Sequence, residues 1–486
     1  MQIVLRGAGA GYEAEHTARI FYPGAEKATR IPESGDYVLA VSHEQTDFVL
    51  LHTGQDLVWR SALREPGADP EYALCSLLYT LLREKTGQNP PWGMMTGVRP
   101  VRIIHDLRAA GADEAQIQER FLGHFACTPE KFTLARKIAD LQRPVLDAAD
   151  PMDCSVYAGI PFCPTRCSYC SFVSRTVGDK ATRELVQPYV DKLCRELTEI
   201  RRTADRCGLR IRTFYIGGGT PTSLSAAQLE QLMSHIVRTF ALDELEEYTV
   251  EAGRPDCTDA EKLRIIKGYG ATRISINPQT FSDQVLRNIG RRHTAQDIID
   301  CFRAARAAGH QNINMDLIAG LPGDTVEGFT HSLEQAIALD PENITVHTLT
   351  LKRASDLVVE HRSADYDDVA AMLERCDLLR QAGYRPYYLY RQKGTLQNLE
   401  NIGWAKPGRE CLYNIYIMEE VHTILSAGAG GSTKLVIPGR RRGKIERIFN
   451  FKYPTEYIDR FDEILARKQG VEEFYERCTT QAVRQP

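Results

Sequence analysis

Beyond about residue 156 the chain alternates short apolar runs with longer amphipathic stretches. Short runs rich in Val, Ile, Thr and Tyr are typical of buried strands, and apolar residues three and four apart are typical of helices that cover a core. The predicted strands are Val156–Ile160, Thr213–Ile216, Tyr248–Glu251, Arg273–Ile276, Asn312–Ile318 and Ile344–Leu349. The predicted helices are Tyr189–Ala204, Ala226–Phe240, Ala260–Gly268, Ala295–Ala308 and Val326–Leu339.

These six β-α units predict an α/β fold with a parallel sheet. Such a sheet can curl into a partial or complete barrel, or stay open and doubly wound, and periodicity alone does not separate the two. In both cases functional side chains lie at the carboxyl ends of the strands. A cysteine-rich loop directly after the first predicted strand favours the barrel.

The two ends of the chain follow different patterns. Residues 1 to about 62 alternate apolar and polar side chains, which predicts a β-rich unit, and helices are predicted at Asp69–Glu84 and over 114–145. Later predicted elements are a helix Tyr366–Ala382, a strand Tyr384–Arg391, a helix Ile417–Leu425 and a helical tail from Tyr453. We therefore predict an N-terminal α+β domain (1–150), a (β/α) barrel core (151–355) and a C-terminal α+β extension (356–486).

Composition narrows the class of protein without assigning a function. The 486 residues carry a net charge of −4, which gives no overall attraction to nucleic acid. No apolar run approaches the roughly 18–20 residues that cross a bilayer, and the first residues lack the pattern of a signal peptide. We expect a cytoplasmic protein with no membrane span and no nucleic-acid partner.

Three cysteines follow the first predicted strand at the spacing C-x3-C-x2-C, in Tyr157-Ala-Gly-Ile-Pro-Phe-Cys163-Pro-Thr-Arg-Cys167-Ser-Tyr-Cys170. Cysteine thiolates hold iron-sulfur clusters, and three ligands on a [4Fe-4S] cube leave one iron open. Two alternatives are a zinc site and three buried structural cysteines. Zinc usually takes four ligands supplied as two pairs, and no second Cys or His pair of that kind is near. The other ten cysteines are scattered singly, as small core residues are.

Polar or glycine residues end the following predicted strands. Gly217-Gly-Gly-Thr220 follows the second strand, and its backbone can approach a ligand closely. Glu251 ends the third strand, and Gln279, Arg291 and Asp316 follow on later units. The alternative for each residue alone is a solvated side chain or a tight turn. Their recurrence at successive strand ends predicts a shared site.

Taken together, these motifs resemble the radical SAM superfamily and, within it, the oxygen-independent coproporphyrinogen III oxidase (HemN/HemW-like) family. The resemblance covers about 154–435 and rests on the cysteine triad, Gly-Gly-Gly-Thr-Pro-Thr222, Gln279 and Asp316-Leu-Ile-Ala-Gly-Leu-Pro. With the N-terminal extension and Trp404-Ala-Lys-Pro-Gly, the sequence is most similar to the HemZ branch.

The resemblance implies a set of cofactors and the residues that bind them. Cys163, Cys167 and Cys170 would hold the [4Fe-4S] cluster. One or two molecules of S-adenosylmethionine (SAM) would bind beside it. The positions matched to the first SAM are Tyr157, Gly218 and Glu251, and those matched to a second are Tyr169, Gly219, Thr220, Gln279, Arg291 and Asp316. The implied partners are a tetrapyrrole substrate or haem and a reduced electron donor such as flavodoxin or ferredoxin.

Three functions follow from the resemblance. The first is oxidative decarboxylation of two coproporphyrinogen III propionates to vinyl groups; the second is haem delivery, as in the chaperone branch; the third is radical chemistry on haem itself. The oxidases carry His at the position of Gly159 and a further Cys at that of Phe172, where Phe is similar to the haem-chaperone branch. An acidic tetrapyrrole needs cations, and the candidates are Lys352, Arg353, Arg391, Lys393, Lys406, Arg409 and Lys434.

Overall fold

The computed structural model describes residues 1–7, 9–54, 56–172, 174–351, 355, 368–439 and 445–483. The chain divides into two compact units. The first consists of Met1–Arg136 and Arg391–Leu399, and the second of Lys137–Tyr390 and Glu400–Pro486. Among the described residues no helix combines the length and the apolar composition that crossing a bilayer requires.

The first unit contains a five-stranded sheet in the order β2-β1-β3-β4-β5. Its strands are β1 (Gln2–Gly7), β2 (Glu26–Ala28), β3 (Tyr37–His43), β4 (Thr46–Thr53) and β5 (Asp56–Leu63). The β-rich stretch predicted here also contains a helix, Tyr12–Phe21, whose buried face packs into the same core as Pro70–Thr86. The helix Pro70–Thr86 begins where Asp69 accepts a hydrogen bond from the Glu71 backbone and ends at left-handed Gly87.

The helix predicted over 114–145 is divided in the structure. Its parts are Glu114–Glu119, a π-helical turn Arg120–His124, and Pro129–Ala148. The helix Pro100–Ala109 precedes them. In the first unit the Arg391 guanidinium donates to the carbonyls of Met95 (2.6 Å) and Gly97 (3.3 Å) and lies over the Trp92 ring. These contacts join 391–399 to residues that are distant in sequence.

The second unit contains an eleven-stranded sheet in the order β14-β15-β13-β12-β11-β10-β9-β6-β16-β17-β18. The parallel strands are β6 (Asp153–Ile160), β9 (Arg210–Gly218), β10 (Glu247–Glu251), β11 (Arg273–Ser275), β12 (Ile313–Ala319), β13 (Asn343–Thr348) and β16 (Thr423–Ala427). At the two ends lie β14 (Arg385–Arg391), β15 (Glu400–Ala405), β17 (Ser432–Leu435) and β18 (Glu446–Phe449). A separate parallel pair, β7 (Phe162–Cys163) and β8 (Arg175–Thr176), lies in the cysteine loop.

Helices alternate with the parallel strands, as the sequence predicts. They are Lys180–Arg206, Ala226–Thr239, Ala260–Gly268, Asp283–Asn288, Ala295–Ala307 and Val326–Leu339. The remaining helices are Val369–Glu374, Asp377–Gln381, Leu412–Glu419, Pro454–Asp459, Phe461–Arg467 and Gln469–Val483. Each of the six predicted strands and five predicted helices corresponds to one of these elements, and the α/β fold class is confirmed.

The prediction of a helix over Ile417–Leu425 is wrong. The helix Leu412–Glu419 ends at Glu420, whose φ of 56° lies in the left-handed region. The chain then forms β16, which is buried along its whole length and pairs in parallel with β6. The predicted helix Tyr366–Ala382 is observed as two short helices beyond residue 368, and its first two residues lie outside the described part of the chain.

Candidate active site at the carboxyl edge of the sheet

The cysteine loop begins where β6 leaves the sheet. The last residue of β6, Ile160, is fully buried, and so is Phe162 two residues later. The Val177 N–H donates to the Cys163 carbonyl at 3.0 Å, and the Cys170 N–H donates to the Cys167 carbonyl at 3.0 Å. The backbone therefore presents all three thiols on one short, hydrogen-bonded loop.

The surroundings of the three sulfurs differ. Burial raises the pKa of the Cys163 and Cys170 thiols. The Thr220 hydroxyl donates to the Cys163 sulfur at 3.6 Å. The Arg254 guanidinium donates to the Cys167 sulfur at 3.5 Å, and the positive charge of the nearby Arg291 also acts on this sulfur. These donors suit sulfur atoms that carry negative charge.

This donor set fits an iron-sulfur cube better than a single metal ion. Among the described residues, no group of three or more His, Cys, Asp and Glu side chains converges as one ion would require. In a cube each thiolate binds a different iron, so the ligands surround the cluster instead of meeting at a point. A Cβ at Gly219 would come within 2.9 Å of the Cys163 sulfur, so the glycine keeps the space beside that sulfur open.

The glycine turn after β9 is attached to the cysteine strand. The Gly219 N–H donates to the Ile160 carbonyl at 2.7 Å, and the Thr220 N–H donates to the Phe162 carbonyl at 2.8 Å. Gly218 has a φ of +113°, which side chains rarely adopt. The predicted turn therefore lies directly beside the predicted cluster ligands.

Glu251 ends β10, where it is half-buried. Burial raises the pKa of its carboxyl to about 7, although the Tyr215 hydroxyl donates to it at 2.7 Å. Tyr215 belongs to a cluster of three rings, with its centroid 6.0 Å from that of Tyr157 and 4.7 Å from that of Tyr413, and the latter two are 6.4 Å apart. An acid in this position can hold a proton near neutral pH, or an ammonium or hydroxyl group of a ligand.

Gln279 and Asp316 meet on the neighbouring strands. The Gln279 N–H donates to the Asp316 carbonyl at 2.8 Å, and Gln279 has a left-handed φ of 69°. Burial acts to raise the pKa of the Asp316 carboxyl, but the nearby His347, whose Nε2 lies 3.8 Å from Oδ1, and the hydrogen bond that Asn314 donates at 2.8 Å lower it below its ordinary value. Asp316 is therefore a charged carboxylate at neutral pH.

Arg291 belongs to the cysteine side of the site. Its guanidinium donates to the Asn277 carbonyl at 2.6 Å and to the Tyr169 hydroxyl at 3.2 Å. The structure thus places the predicted residues in two groups. Tyr169, Gly219, Thr220 and Arg291 lie around the cysteines, whereas Tyr157, Glu251, Gln279 and Asp316 lie along the strand ends, and Gly218 lies between the two groups.

A cavity of about 300 Å³ opens between the cysteine loop and a second glycine turn. Its lining residues are Tyr157, Gly159, Ile160, Pro161, Ser171, Phe172, Gly218, Gly219, Ala429, Gly430, Gly431 and Lys452. Phe172 has 62% of its surface exposed, and Lys452 is also exposed. The cavity therefore combines an aromatic ring and a cation beside the cysteine loop.

Sequence reasoning missed Lys452 and proposed other cations. Lys434 is buried and pairs with Glu420 at 2.7 Å, and Lys406 pairs with Asp340 at 2.7 Å. Arg391 and Lys393 belong to the first unit, and Lys352 and Arg353 lie outside the described residues. None of the described candidates, Arg409 included, lines this cavity.

Arg254, Tyr215 and Tyr413 were also missed. Arg254 follows Glu251 by three residues, so its position just past a strand end was a usable signal. Tyr215 lies inside a strand, and Tyr413 lies in a helix that comes nearly 200 residues later, counted from Tyr215. For these tyrosines no local pattern indicates a site.

Comparison with known proteins agrees with this geometry. Residues 157–336 match the Radical SAM superfamily. The oxygen-independent coproporphyrinogen-III oxidase-like protein HemZ of Bacillus subtilis is 36% identical over 491 residues, which cover 96% of each chain. The chain is a radical SAM protein of the coproporphyrinogen III oxidase-like family. A [4Fe-4S] cluster and SAM are accordingly its cofactors.

Other members of the family share part of the chain. The heme chaperone HemW of Bacillus subtilis is 33% identical over 66% of this chain and 82% of its own. The crystal structure of coproporphyrinogen III oxidase (HemN) from Escherichia coli covers 67% of this chain and 72% of its own, with 23% identity and a TM-score of 0.51. The radical SAM fold is therefore shared with HemN.

Proposed function

We propose that this radical SAM protein oxidatively decarboxylates propionate side chains of coproporphyrinogen III, giving the vinyl groups of protoporphyrinogen IX. The observation that carries the proposal is the likeness to the coproporphyrinogen-III oxidase-like HemZ along 96% of both chains. The two cofactors together supply a carbon radical that can abstract hydrogen from an unactivated C–H bond. A reduced flavodoxin or ferredoxin would provide the electron.

The proposed reaction balances for each propionate. A hydrogen atom leaves the β-carbon, the bond to the carboxylate breaks, carbon dioxide departs and one electron is released to an acceptor. The chain's own residues would bind and shield the reacting group. Lys452 offers a cation to a propionate, Phe172 offers an apolar face to a pyrrole ring, and Glu251 can hold a cofactor hydroxyl or ammonium.

The test is an anaerobic assay of the reconstituted full-length protein with SAM, a reductant and coproporphyrinogen III. We expect protoporphyrinogen IX, carbon dioxide and 5′-deoxyadenosine. Absence of any decarboxylated product, with SAM cleaved and iron content complete, would contradict the proposal.

A second function is haem delivery, and two residues favour it. Gly159 and Phe172 replace the His and Cys of the oxidases, and Phe172 is exposed at the cavity. HemW, a heme chaperone, is 33% identical over two thirds of the chain. Tight binding of haem, with the tetrapyrrole unchanged in the same assay, would support delivery. Loss of the haem absorption with new macrocycle products would instead support chemistry on haem.

A further inference from the structure

Arg254 lies against the middle cysteine of the loop and is held there rigidly. Only 3% of its surface is exposed. Its Nε and Nη2 atoms donate to the two carboxylate oxygens of Asp256 at 2.9 and 2.8 Å. Nη2 also donates to the Thr165 hydroxyl at 2.8 Å, and Nη1 donates to the Cys167 sulfur at 3.5 Å. The two-point contact with Asp256 fixes the plane of the guanidinium and aims its remaining nitrogen at the sulfur.

Cys167 receives a second buried cation. The buried Arg291 guanidinium lies near the same sulfur, where its positive charge interacts with Cys167, and it donates hydrogen bonds to the Tyr169 hydroxyl and the Asn277 carbonyl. Cys163 instead accepts a hydrogen bond from a neutral group, the Thr220 hydroxyl, at 3.6 Å.

The charges beside Cys167 do not cancel. Two guanidiniums face one carboxylate, Asp256, so the group carries a net positive charge before any cluster is counted. Burying this excess costs free energy unless a negative partner is present. The thiolate of Cys167, as a ligand of the family's cluster, supplies that partner.

We propose that Arg254 is a positioning residue that raises the reduction potential of the [4Fe-4S] cluster through Cys167. Positive charge and hydrogen bonds at a ligating sulfur stabilise the more negative, reduced cluster. Asp256 opposes this effect electrostatically while it holds Arg254 in place. The inference goes beyond the proposed function, because it concerns how readily the cluster accepts an electron and not which substrate is used.

The opposed charges give a test that a purely structural role would not satisfy. The reconstituted full-length protein is titrated against redox mediators without SAM or tetrapyrrole, and the reduced cluster is followed by electron paramagnetic resonance. Arg254→Gln should lower the midpoint potential, and Arg254→Lys, which keeps a cation, should recover most of that shift. Asp256→Asn removes the opposing charge and should raise the midpoint potential above that of the unaltered protein.

Thr165→Val is the matched control, because it removes a hydrogen bond of Arg254 without changing any charge. We expect its midpoint potential to equal that of the unaltered protein. Iron content and circular dichroism are measured for every variant. If Arg254→Gln does not retain its cluster, Asp256→Asn decides through its predicted rise in midpoint potential.

The proposal is overturned if Arg254→Gln and Asp256→Asn move the midpoint potential in the same direction. It is also overturned if either of these two variants, loaded with its cluster, leaves the midpoint potential unchanged. Neither result depends on the tetrapyrrole. The proposed function can therefore fail while this inference stands, and this inference can fail while the proposed function stands.

Discussion

Glu251 is an acid whose surroundings favour its protonated form. Its pKa of about 7 in the folded protein lies above the ordinary value of 4.5, because burial outweighs the hydrogen bond from Tyr215. Between pH 4.5 and pH 7 the folded state therefore binds more protons than the unfolded state. The contribution of Glu251 to the free energy of unfolding is complete below about pH 4.5 and is lost as the pH rises through about 7.

Glu251→Gln should remove this pH dependence. In the apo-protein, the free energy of unfolding of the unaltered chain should fall by about 2 kcal/mol more than that of the variant between about pH 5 and pH 8. Urea unfolding at both pH values measures the difference. Parallel pH profiles for the two proteins would contradict the raised pKa.

Cys167 should be required for the cluster. Cys167→Ala removes one of three predicted iron ligands, so the brown absorption of the reconstituted protein and its SAM cleavage should be lost, while the first unit stays folded. Cys301→Ala is the control, because Cys301 is equally buried but lies in the helix Ala295–Ala307. Full iron content in Cys167→Ala would show that the ligand assignment is wrong.

Lys452 should affect binding of an acidic substrate more than turnover. If it pairs with a propionate at the exposed cavity mouth, Lys452→Ala should raise KM about five-fold, which corresponds to about 1 kcal/mol. The exposed Arg447 on β18 does not line the cavity, so Arg447→Ala should leave KM unchanged. Equal effects of both variants would indicate a general charge effect instead of a specific contact.

Among the elements, the helix Lys180–Arg206 supports the second glycine turn through Glu196. This fully buried carboxylate accepts hydrogen bonds from the Gly428 N–H (2.8 Å) and the Tyr457 hydroxyl (2.6 Å), and pairs with Lys468 at 2.8 Å. The buried Glu196 carboxylate thus connects its own helix to the second glycine turn and to the C-terminal helices. The second glycine turn forms one wall of the cavity.

Glu196→Ala should lower the free energy of unfolding by about 3–5 kcal/mol, because Lys468 is left buried without its charge partner. Adding Lys468→Met should recover part of the loss. Glu199→Ala on the same helix breaks only surface pairs, with Arg202 and Arg206, and should cost less than about 1 kcal/mol. Denaturant unfolding measures all three, and a similar cost for Glu196→Ala and Glu199→Ala would contradict this account.

The elements that the sequence predicted well are those with local periodicity. The six parallel strands and five of the helices between 153 and 348 follow from apolar spacing alone, whereas the short strands β7 and β8 and the helix Asp283–Asn288 were not predicted. The strand β16 does not, because Thr423–Ala427 is short and its parallel partner β6 lies more than 260 residues earlier. The spacing of Ile417, Val421 and Leu425 also suits a helix, and only the left-handed turn at Glu420 separates the helix from the strand.

The features of the candidate site likewise separate into those that the sequence indicated and those that it did not. The cysteine spacing and the glycine run were visible in the sequence, and the structure places them side by side. The Tyr157–Tyr215–Tyr413 stack and the cation at Lys452 depend on which chain segments pack together, and no short motif encodes that packing.

At the scale of the whole molecule, the first unit is completed by a distant segment. Residues 391–399 belong to it, and Arg391 holds two of its backbone carbonyls and covers Trp92. The domain limits predicted from the sequence stay a prediction. The structure assigns residues 391–399, as well as the N-terminal part of the chain, to the first unit.

Arg391→Met should destabilise the first unit by about 2–4 kcal/mol, because carbonyls that it satisfies lose charge-assisted hydrogen bonds. Hydrogen exchange should speed up in peptides from 1–136 and change less in those from 153–348. Lys393→Ala removes only an exposed cation over the Tyr12 ring and should have little effect. Uniform acceleration across both units would contradict the assignment.

The pairing of β6 with β16 also has a consequence for biosynthesis. The strand β6, which leads into the cysteine loop, has β9 on one side and Thr423–Ala427 on the other, so one of its two neighbours is translated more than 260 residues after it. At about 5–20 residues per second, a ribosome needs many seconds between these strands. The cysteine loop therefore gains its complete support only after β16 has been made, and its three thiols must stay reduced until then if iron is to bind there.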